Sequence, residues 1–552
     1  MAHLTARLGL LSAAALLAAC AAPGTTVPSS PAASASAAEA CAALARAVMP
    51  APTELSTRHV AAGTRRAGDK PTGQPLGGHC VVKGRIDPRI GVGGRPFATG
   101  FELSLPDDWN GRLLYLGGGG NDGRVRDTTL SSSISGGTPS PLAQGFAVVS
   151  TDAGHDGVDG SFALDPRARV DHAFDAHHKT ALAARALAQA RYGRLPHHSY
   201  FSGCSGGGRQ GMMFAQRYPE LFDGINAGAP AMRVSSGATV AAMWNTLKFE
   251  AAAPRDAAGA PILSRAFSDG DLKLVAARIN AACDAADGLA DGMVQHTAAC
   301  RFDPAAMQCS GEKTDNCLSA PQVQALQAFA GGPTDSAGRA LYAGQPWDPG
   351  IAGPGWRQWT LGKSATAKAD ARYVFLMVDA LKHEFFTPPD PGFDYRRFDF
   401  DRDPARMQWF SALYDTYEDT RLTAFKARGG RLLFVHGMSD PIFSATEMLD
   451  YFGALAAHHG GLDAVQGFAR TFLVPGMNHC SGGPATDQFD AIQAMVDWVE
   501  TGQAPDRILA KAAPNNAWFP NRSRPLCPFP RYARYGGQGP VDDAASFQCV
   551  LP

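Results

Sequence analysis

Long apolar runs are scarce in this chain. Among 552 residues, the only stretch that stands out is residues 8–19, and it is too short to cross a bilayer as a permanent helix. Basic runs are absent and the formal net charge is -1, which argues against nucleic acid or another polyanion as partner. No Cys-x-x-Cys pair occurs among the eleven cysteines, so a ribbon or finger type of zinc site is excluded. No internal repeat is found, which sets aside solenoids and propellers. The cluster Gly117, Gly118, Gly119 and Gly120 is not followed by Gly-Lys-Ser/Thr, so it does not read as a phosphate-binding loop. What remains is an ordinary globular balance, 45% hydrophobic and 18% charged, in a chain long enough for a large core and more than one structural unit. Its partner is expected to be a small molecule.

The N-terminus reads as a targeting segment over residues 1–20. Arg7 supplies the positive region, and residues 8–19 the apolar one. It ends Leu17-Ala18-Ala19-Cys20, which resembles a lipoprotein signal in which Cys20 is lipidated and held at a membrane. An ordinary secretory signal is the alternative, and both readings export the protein to the periplasm, the outer membrane or the medium. Residues 21–40 are Ala, Ser, Pro and Thr with almost no large apolar side chain, a flexible tether. Setting Cys20 aside leaves ten cysteines in an exported chain, which predicts disulfides. Local spacing favours Cys309 with Cys317 and Cys527 with Cys549; Cys283 with Cys300 and Cys41 with Cys80 are also plausible. Cys204 and Cys480 are left, and spacing alone does not settle the connectivity.

Between residues 80 and 230 strand and helix patterns alternate. Residues 113–116 and 146–150 read as buried strands, residues 180–192 as an alanine- and leucine-rich helix, and residues 200–202 as the next strand. Such alternation predicts a mainly parallel sheet with helices on both faces. Residues 231–420 are different: irregular helices with Trp244, Trp356 and Trp359, four cysteines and many Pro and Gly turns. This segment reads as an insertion between a first core part, residues 41–230, and a second, residues 421–552. The strand pattern resumes at residues 431–435 and 471–474, and residues 487–501 read as a last amphipathic helix.

The chemistry begins at Gly203-Cys204-Ser205-Gly206-Gly207, a Gly-x-Ser-x-Gly between a strand end and a helix start. That is the pattern of a nucleophile elbow, whose tight strand-to-helix turn needs small neighbours. Its partners are expected later in the chain as an acid and then a histidine. Asp440 follows the strand at 431–435, and His479 follows the strand at 471–474. All three sit just past the carboxyl ends of predicted strands, where sites in open parallel sheets form. In this reading Ser205 attacks, His479 moves the proton, and Asp440 fixes the imidazole. The backbone N–H of Gly206 is one oxyanion donor, and the glycine cluster at 117–120 offers the second. Cys204 and Cys480 each adjoin a catalytic residue, so a bond between them would fasten the serine loop to the histidine loop. Asp284, Asp287 and Asp291 fall within eight residues beside Gly288 and Gly292; three carboxylates so close repel unless a cation such as calcium sits among them.

Cys204-Ser205, then Asp440, then His479-Cys480 resembles the signature of the tannase and feruloyl esterase family. The likeness runs through GCSGGGRQGMM, FSDGDLKLV, CDAADGLADGMV, HGMSDPIFSA, FLVPGMNHCSGGP and RPLCPFP. It covers roughly residues 41–552. The resemblance implies an α/β-hydrolase core, a lid over the site, a structural calcium ion and five disulfides. It pairs Cys204 with Cys480, supports the four local pairings, and places the second oxyanion donor at Gly120. It adds the carbonyls of Leu289 and Met293 to the calcium ligands. Within the family the chain is most similar to the terephthalate-monoester hydrolases. That likeness implies that Arg372 pairs with a free carboxylate of the substrate and that Trp359, His436 and Phe443 belong to the pocket. A guanidinium suits a planar carboxylate because it binds in a bidentate way. Departures are Gly206 for a glutamate, Gly119 for a serine, and Leu376 for a pocket phenylalanine.

The expectation is an exported monomeric serine esterase of aromatic acid esters that uses no organic cofactor. Its first candidate substrate is mono(2-hydroxyethyl) terephthalate, cleaved to terephthalate and ethylene glycol through an acyl-enzyme. A feruloyl or galloyl esterase with the same triad is the alternative. A lipid-anchored binding protein for aromatic compounds, without catalysis, is the rival from another class.

Overall fold

The computed structural model describes residues 36–63, 75–130, 134–135 and 139–552. The targeting segment, Cys20 and most of the tether lie outside the described residues. The tether expected to reach residue 40 is corrected at its end: Ala37–Ala43 is a helix. Its Cys41 is buried and bonded to Cys80, which pins a short alanine-rich segment that would not be stable alone.

One nine-stranded sheet organises Ala37–Pro552, which forms a single compact unit. Its strands are β1 (Thr53–Val60), β2 (His79–Ile90), β3 (Pro96–Pro106), β4 (Arg112–Leu116), β5 (Ala147–Thr151), β6 (His198–Cys204), β7 (Gly224–Gly228), β8 (Arg431–Gly437) and β9 (Ala469–Val474). The order is β1-β2-β3-β5-β4-β6-β7-β8-β9. From β5 to β9 all neighbours are parallel. The first three strands add an antiparallel edge, which the sequence pattern did not disclose. β1 alternates half-buried and exposed residues, and β2 carries Pro88 within a register shift between Ile86 and Arg89. Both features belong to an edge and weaken the strand signal.

The central strands are buried on both faces. In β4, Leu113 and Tyr115 join one core while Leu114 and Leu116 join the other, the period-two alternation of a strand. Helices Ala176–Tyr192, Gly206–Arg217 and Ala445–His458 supply side chains such as Leu187, Met212 and Leu455 to the first face. The helix Ala491–Thr501 covers the second with Ile492, Met495 and Val496. Covered faces of this kind are usual for parallel sheets, whose crossovers are helical.

β7 and β8 are hydrogen-bonded neighbours, yet about two hundred residues separate them in the chain. Residues 229–430 therefore leave the sheet and return beside their point of departure. They contribute to two further cores, one around Tyr373, Leu381 and Phe385, the other around Phe249, Ile279, Leu326 and Trp356. Among the described residues no helix is long and apolar enough to cross a membrane.

The opposite end of the sheet is tied by charge. Arg112 donates to both oxygens of Glu500 at 2.7 Å, and the Tyr200 hydroxyl donates to the same carboxylate at 2.7 Å. The Arg112 hydrogen bonds hold the Glu500 carboxyl down at about 2. A carboxylate depressed in the folded state stabilises it above its unfolded pKa and loses that effect as pH falls through the folded value. Glu500→Gln is therefore expected to lower stability by about 1 kcal/mol at neutral pH, after allowance for its exposure. In urea titrations the gap between variant and parent should close as pH falls from about 4.5 to about 2.

Candidate active site

β6 ends at Cys204, and the helix Gly206–Arg217 starts two residues later. Ser205 lies between them at φ 67, ψ -125, a left-handed backbone that costs of order 1–3 kcal/mol and persists only where the surroundings enforce it. Its N–H donates to Gly228 O at 2.9 Å, and its carbonyl accepts from Ala231 N at 3.1 Å. Close glycine backbones complete the enforcement. A Cβ on Gly207 would fall 2.8 Å from Gly118 O, and one on Gly117 would fall 2.9 Å from the Gly207 Cα.

Loops after β8 and β9 bring the acid and the base together. His479 Nδ1 donates to Asp440 Oδ2 at 2.7 Å, while Asp440 Oδ1 accepts from Ile442 N at 2.9 Å and Phe443 N at 3.1 Å. Burial pushes the Asp440 carboxyl upward. The charge and hydrogen bond of His479, with help from His436 and the Ile442 amide, outweigh it and hold the group below the ordinary carboxylate range. An anionic acceptor fixes the imidazole with its proton on Nδ1 and leaves Nε2 to act.

Ser205 and His479 line one cavity of about 690 Å³ with Gly118, Gly119 and Gly120. Gly120 has φ 62, open to glycine at no steric cost. Gly206 packs directly on this loop: a Cβ there would lie 3.3 Å from Gly119 Cα and 3.7 Å from Gly120 N. Two backbone segments that carry candidate oxyanion donors are thus in contact. A larger residue at 206 needs the loop to yield by only a few tenths of an ångström.

The outer wall is built by residues 229–430. Trp359, Arg372 and Leu376 all line the cavity, as does Phe375, which is 63% exposed. Trp359 meets His479 edge-to-face at 5.2 Å, and the Arg372 guanidinium lies 5.2 Å over the Trp359 ring. Arg372 forms no ion pair among the described residues. His436 and Phe443 are placed differently from the expectation, off the wall and behind the histidine. His436 is fully buried and its Nε2 donates to Phe443 O at 2.9 Å; burial lowers its pKa. Phe443 packs against His479 at 5.4 Å. Both lie where β8 turns into its loop, and neither is among the residues that line the cavity. Phe375, Arg124 and Arg126 also line the cavity and were not singled out from the sequence. Only the neighbourhood of Leu376 pointed to Phe375, and nothing in the local pattern marked the two arginines.

The sequence pattern of tannase and feruloyl esterase matches residues 80–550. The mono(2-hydroxyethyl) terephthalate hydrolase of Piscinibacter sakaiensis is 40% identical over 550 residues, covering 91% of this chain and 89% of that protein. The chain belongs to the tannase and feruloyl esterase family. It is a carboxylic ester hydrolase. The crystal structure of feruloyl esterase B from Aspergillus oryzae has the same fold, with TM-score 0.76, 24% identity, and coverage of 93% of this chain and 100% of that one. The tannin acyl hydrolase of Aspergillus niger gives 0.69 at 22% identity, with coverage of 94% and 96%.

In this family member all ten cysteines after Cys20 are paired: Cys41–Cys80, Cys204–Cys480, Cys283–Cys300, Cys309–Cys317 and Cys527–Cys549. Five disulfides fit an exported protein. The Cys204–Cys480 bond joins residues 276 apart in sequence. Constraining so long a loop in the unfolded chain stabilises the fold by on the order of 5 kcal/mol in the chain-entropy picture.

The acidic loop follows the helix Asp269–Cys283 and is bracketed by Cys283–Cys300. Asp284 Oδ2 accepts from Gly292 N at 2.6 Å, but its Oδ1 is buried without a partner. Asp287 accepts from Leu289 N at 3.2 Å and Gln295 N at 2.8 Å. Burial pushes Asp284 upward and Asp287 up to about 7, and the charge of Asp291 adds to both. Asp291 itself accepts from Met293 N at 3.1 Å and pairs through Oδ2 with Arg524. Among the described residues, ligand atoms of three His, Cys, Asp or Glu side chains come within 4.8 Å of one another only at His197, His198 and Glu500, where Arg112 already holds the carboxylate; the three aspartates do not meet that closely. An all-oxygen donor set with one orphaned buried oxygen is of the kind that suits a hard cation.

The glycine packing at the turn makes a direct prediction. Gly207→Ala sets a Cβ against the Gly118 carbonyl and is expected to cost about 2–4 kcal/mol. Chemical denaturation should register that loss, and esterase activity should fall with it.

Proposed function

We propose that this chain is an exported serine esterase of aromatic acid esters, and that mono(2-hydroxyethyl) terephthalate is its substrate of first choice. One observation carries the reading. Ser205, His479 and Arg372, which forms no ion pair among the described residues, line the same cavity, in a chain 40% identical to a protein named for that activity.

The chemistry follows from the arrangement. His479 Nε2 takes the proton of the Ser205 hydroxyl as Oγ attacks the ester carbonyl. Asp440, buried and accepting two backbone amides, stabilises the imidazolium without taking the proton. The N–H groups of Gly120 and Gly206 receive the negative charge on the carbonyl oxygen. His479 then protonates the departing alcohol, and water repeats the sequence to free Ser205 and the acid. Trp359, with Leu376 and Phe375, offers apolar surface to the aromatic acyl group and keeps water from His479. Arg372 reads a carboxylate on the far side of the ring. Leu376 gives up an aromatic face that the terephthalate-monoester hydrolases have, and Phe375 beside it is placed to supply one.

Calcium belongs to the proposal as a structural ion. Asp284, Asp287 and Asp291, with the carbonyls of Leu289 and Met293, would hold it, and it would supply the positive charge that these carboxylates lack. No step of the reaction passes through it. Membrane attachment through a lipidated Cys20 and a monomeric state complete the reading.

Two measurements test it. Ser205→Ala should lower kcat at least about a thousandfold. Arg372→Ala should lower kcat/KM for the terephthalate monoester by about ten- to a hundredfold and change methyl ferulate by less than about threefold. A parent enzyme that prefers ferulate, with Arg372→Ala neutral on both, moves the chain to the phenolic-ester hydrolases. For the ion, dialysis against a chelator should lower Tm by several degrees and added calcium should restore it; an unchanged Tm removes calcium from the account.

A further inference from the structure

The glycine loop after β4 is held by two buried side chains. Asp122 is 4% exposed; its Oδ1 accepts from Gly119 N at 2.9 Å and its Oδ2 from Gln210 Nε2 at 2.9 Å. Gln210 is 1% exposed, and its Oε1 accepts from Gly118 N at 3.0 Å. The polarity of this chain is fixed throughout. An ionised carboxylate only accepts, so the amide nitrogen of Gln210 must face Asp122 and its oxygen must face Gly118. A Cβ on Gly118 would lie 2.4 Å from Asp122 Oδ2, so the carboxylate is packed on the loop backbone itself.

The link spans the two segments that carry the oxyanion donors. Gln210 lies on the helix that begins at Gly206, and Asp122 closes the loop that contains Gly120. Positive φ recurs in this loop, 62 at Gly120, 32 at Asp122 and 72 at Gly123, and of the three only Asp122 is strained by it. A non-glycine residue at positive φ persists only where its surroundings over-determine it. Asp122 also borders the cavity. A carboxylate beside a developing oxyanion would oppose it unless tied down, and here both oxygens already accept.

We propose that Asp122 and Gln210 are positioning residues of the reaction, setting the separation and aim of the Gly120 and Gly206 N–H groups. The inference rests on the reading of these two glycines as the oxyanion donors. Neither side chain is required to touch substrate. Their contribution appears where the carbonyl oxygen becomes anionic, so it belongs to kcat and not to substrate binding.

Charge exchange tests the link. In Asp122→Asn, an N–H₂ must face either Gly119 N–H or Gln210 N–H₂, and one bond is lost. Combined with Gln210→Glu, the carboxylate moves one residue along and every donor again meets an acceptor in the same heavy-atom geometry. Asp122→Asn should lower kcat about ten- to a hundredfold with KM within about threefold. A boronic acid that forms a tetrahedral adduct on Ser205 should bind weaker by a similar factor. The double variant should recover kcat to within about fivefold of the parent. A kcat within threefold in folded Asp122→Asn, a loss confined to KM, or a double variant no better than the single overturns the proposal. If Asp122→Asn does not fold, Gln210→Met reads the same link, and an unchanged kcat there also overturns it. Ser205→Ala run alongside separates the cases: hydrolysis that survives it removes the site reading itself.

Discussion

Gly203 and Gly207 approach so closely that a Cβ on Gly203 would fall 2.8 Å from the Gly207 carbonyl carbon. Gly208 is as close to Gly228 O, and Gly117 to Gly203 and Gly207. Backbone therefore meets backbone at the end of three neighbouring strands, β4, β6 and β7. Interiors are close-packed, so such contact leaves no slack to be taken up elsewhere. Once β6 must turn there into a helix without room for a side chain, Ser205 is forced into its left-handed conformation. The Gly206 N–H comes to the first turn of a helix, where it has no intrahelical acceptor. The glycine loop after β4 is drawn to within contact distance of it. Most of the site's geometry descends from this one steric constraint.

Electrostatics finishes what packing begins. Several arginines away from the site are matched by carboxylates: Arg89 with Asp165, Arg112 with Glu500, Arg396 with Glu250, Arg428 with Asp223. Arg372 rests on Trp359 and, like Arg124 and Arg126 in the same cavity, forms no ion pair among the described residues. A guanidinium left unmatched beside a cavity is the complement of an anion. Asp440 shows the opposite arrangement, a fully buried charge with two amides and an imidazole around it. The protein thus separates a stabilised negative charge behind the histidine from an available positive charge on the outer wall.

Much of this was legible in the sequence. Ser205, Asp440 and His479 could be found because each follows an apolar run that must be a buried strand, and their order is restricted by the fold. The parallel strands were readable for the same reason. The antiparallel edge was not, since β1 and β2 carry the charged, half-exposed residues that protect an edge and so lack a continuous apolar signature. Cys204 with Cys480 was suggested by the cysteines left over and by their places beside Ser205 and His479, but spacing could not settle a bond across 276 residues, and the family likeness did. His436 and Phe443 were assigned to the pocket by that likeness; in the structure they surround His479 and Asp440 without lining the cavity. Asp122 and Gln210 were silent: one short polar residue after a glycine run and one on a buried helix face acquire meaning only when the loop and helix are seen in contact.

The segment 229–430 begins and ends on adjacent strands, and it carries Trp359, Arg372, Phe375 and Leu376. The triad residues Ser205, Asp440 and His479 all lie outside it. In the proposed reading, the side chains that would meet the acyl group and those that would cleave the bond therefore come mostly from separate stretches of the chain. One continuous cassette can diverge, or be exchanged between relatives, without redrawing the strands that hold the nucleophile. Substrate range in such a scaffold can evolve by replacing a single insert, while the hydrolytic machinery is inherited intact.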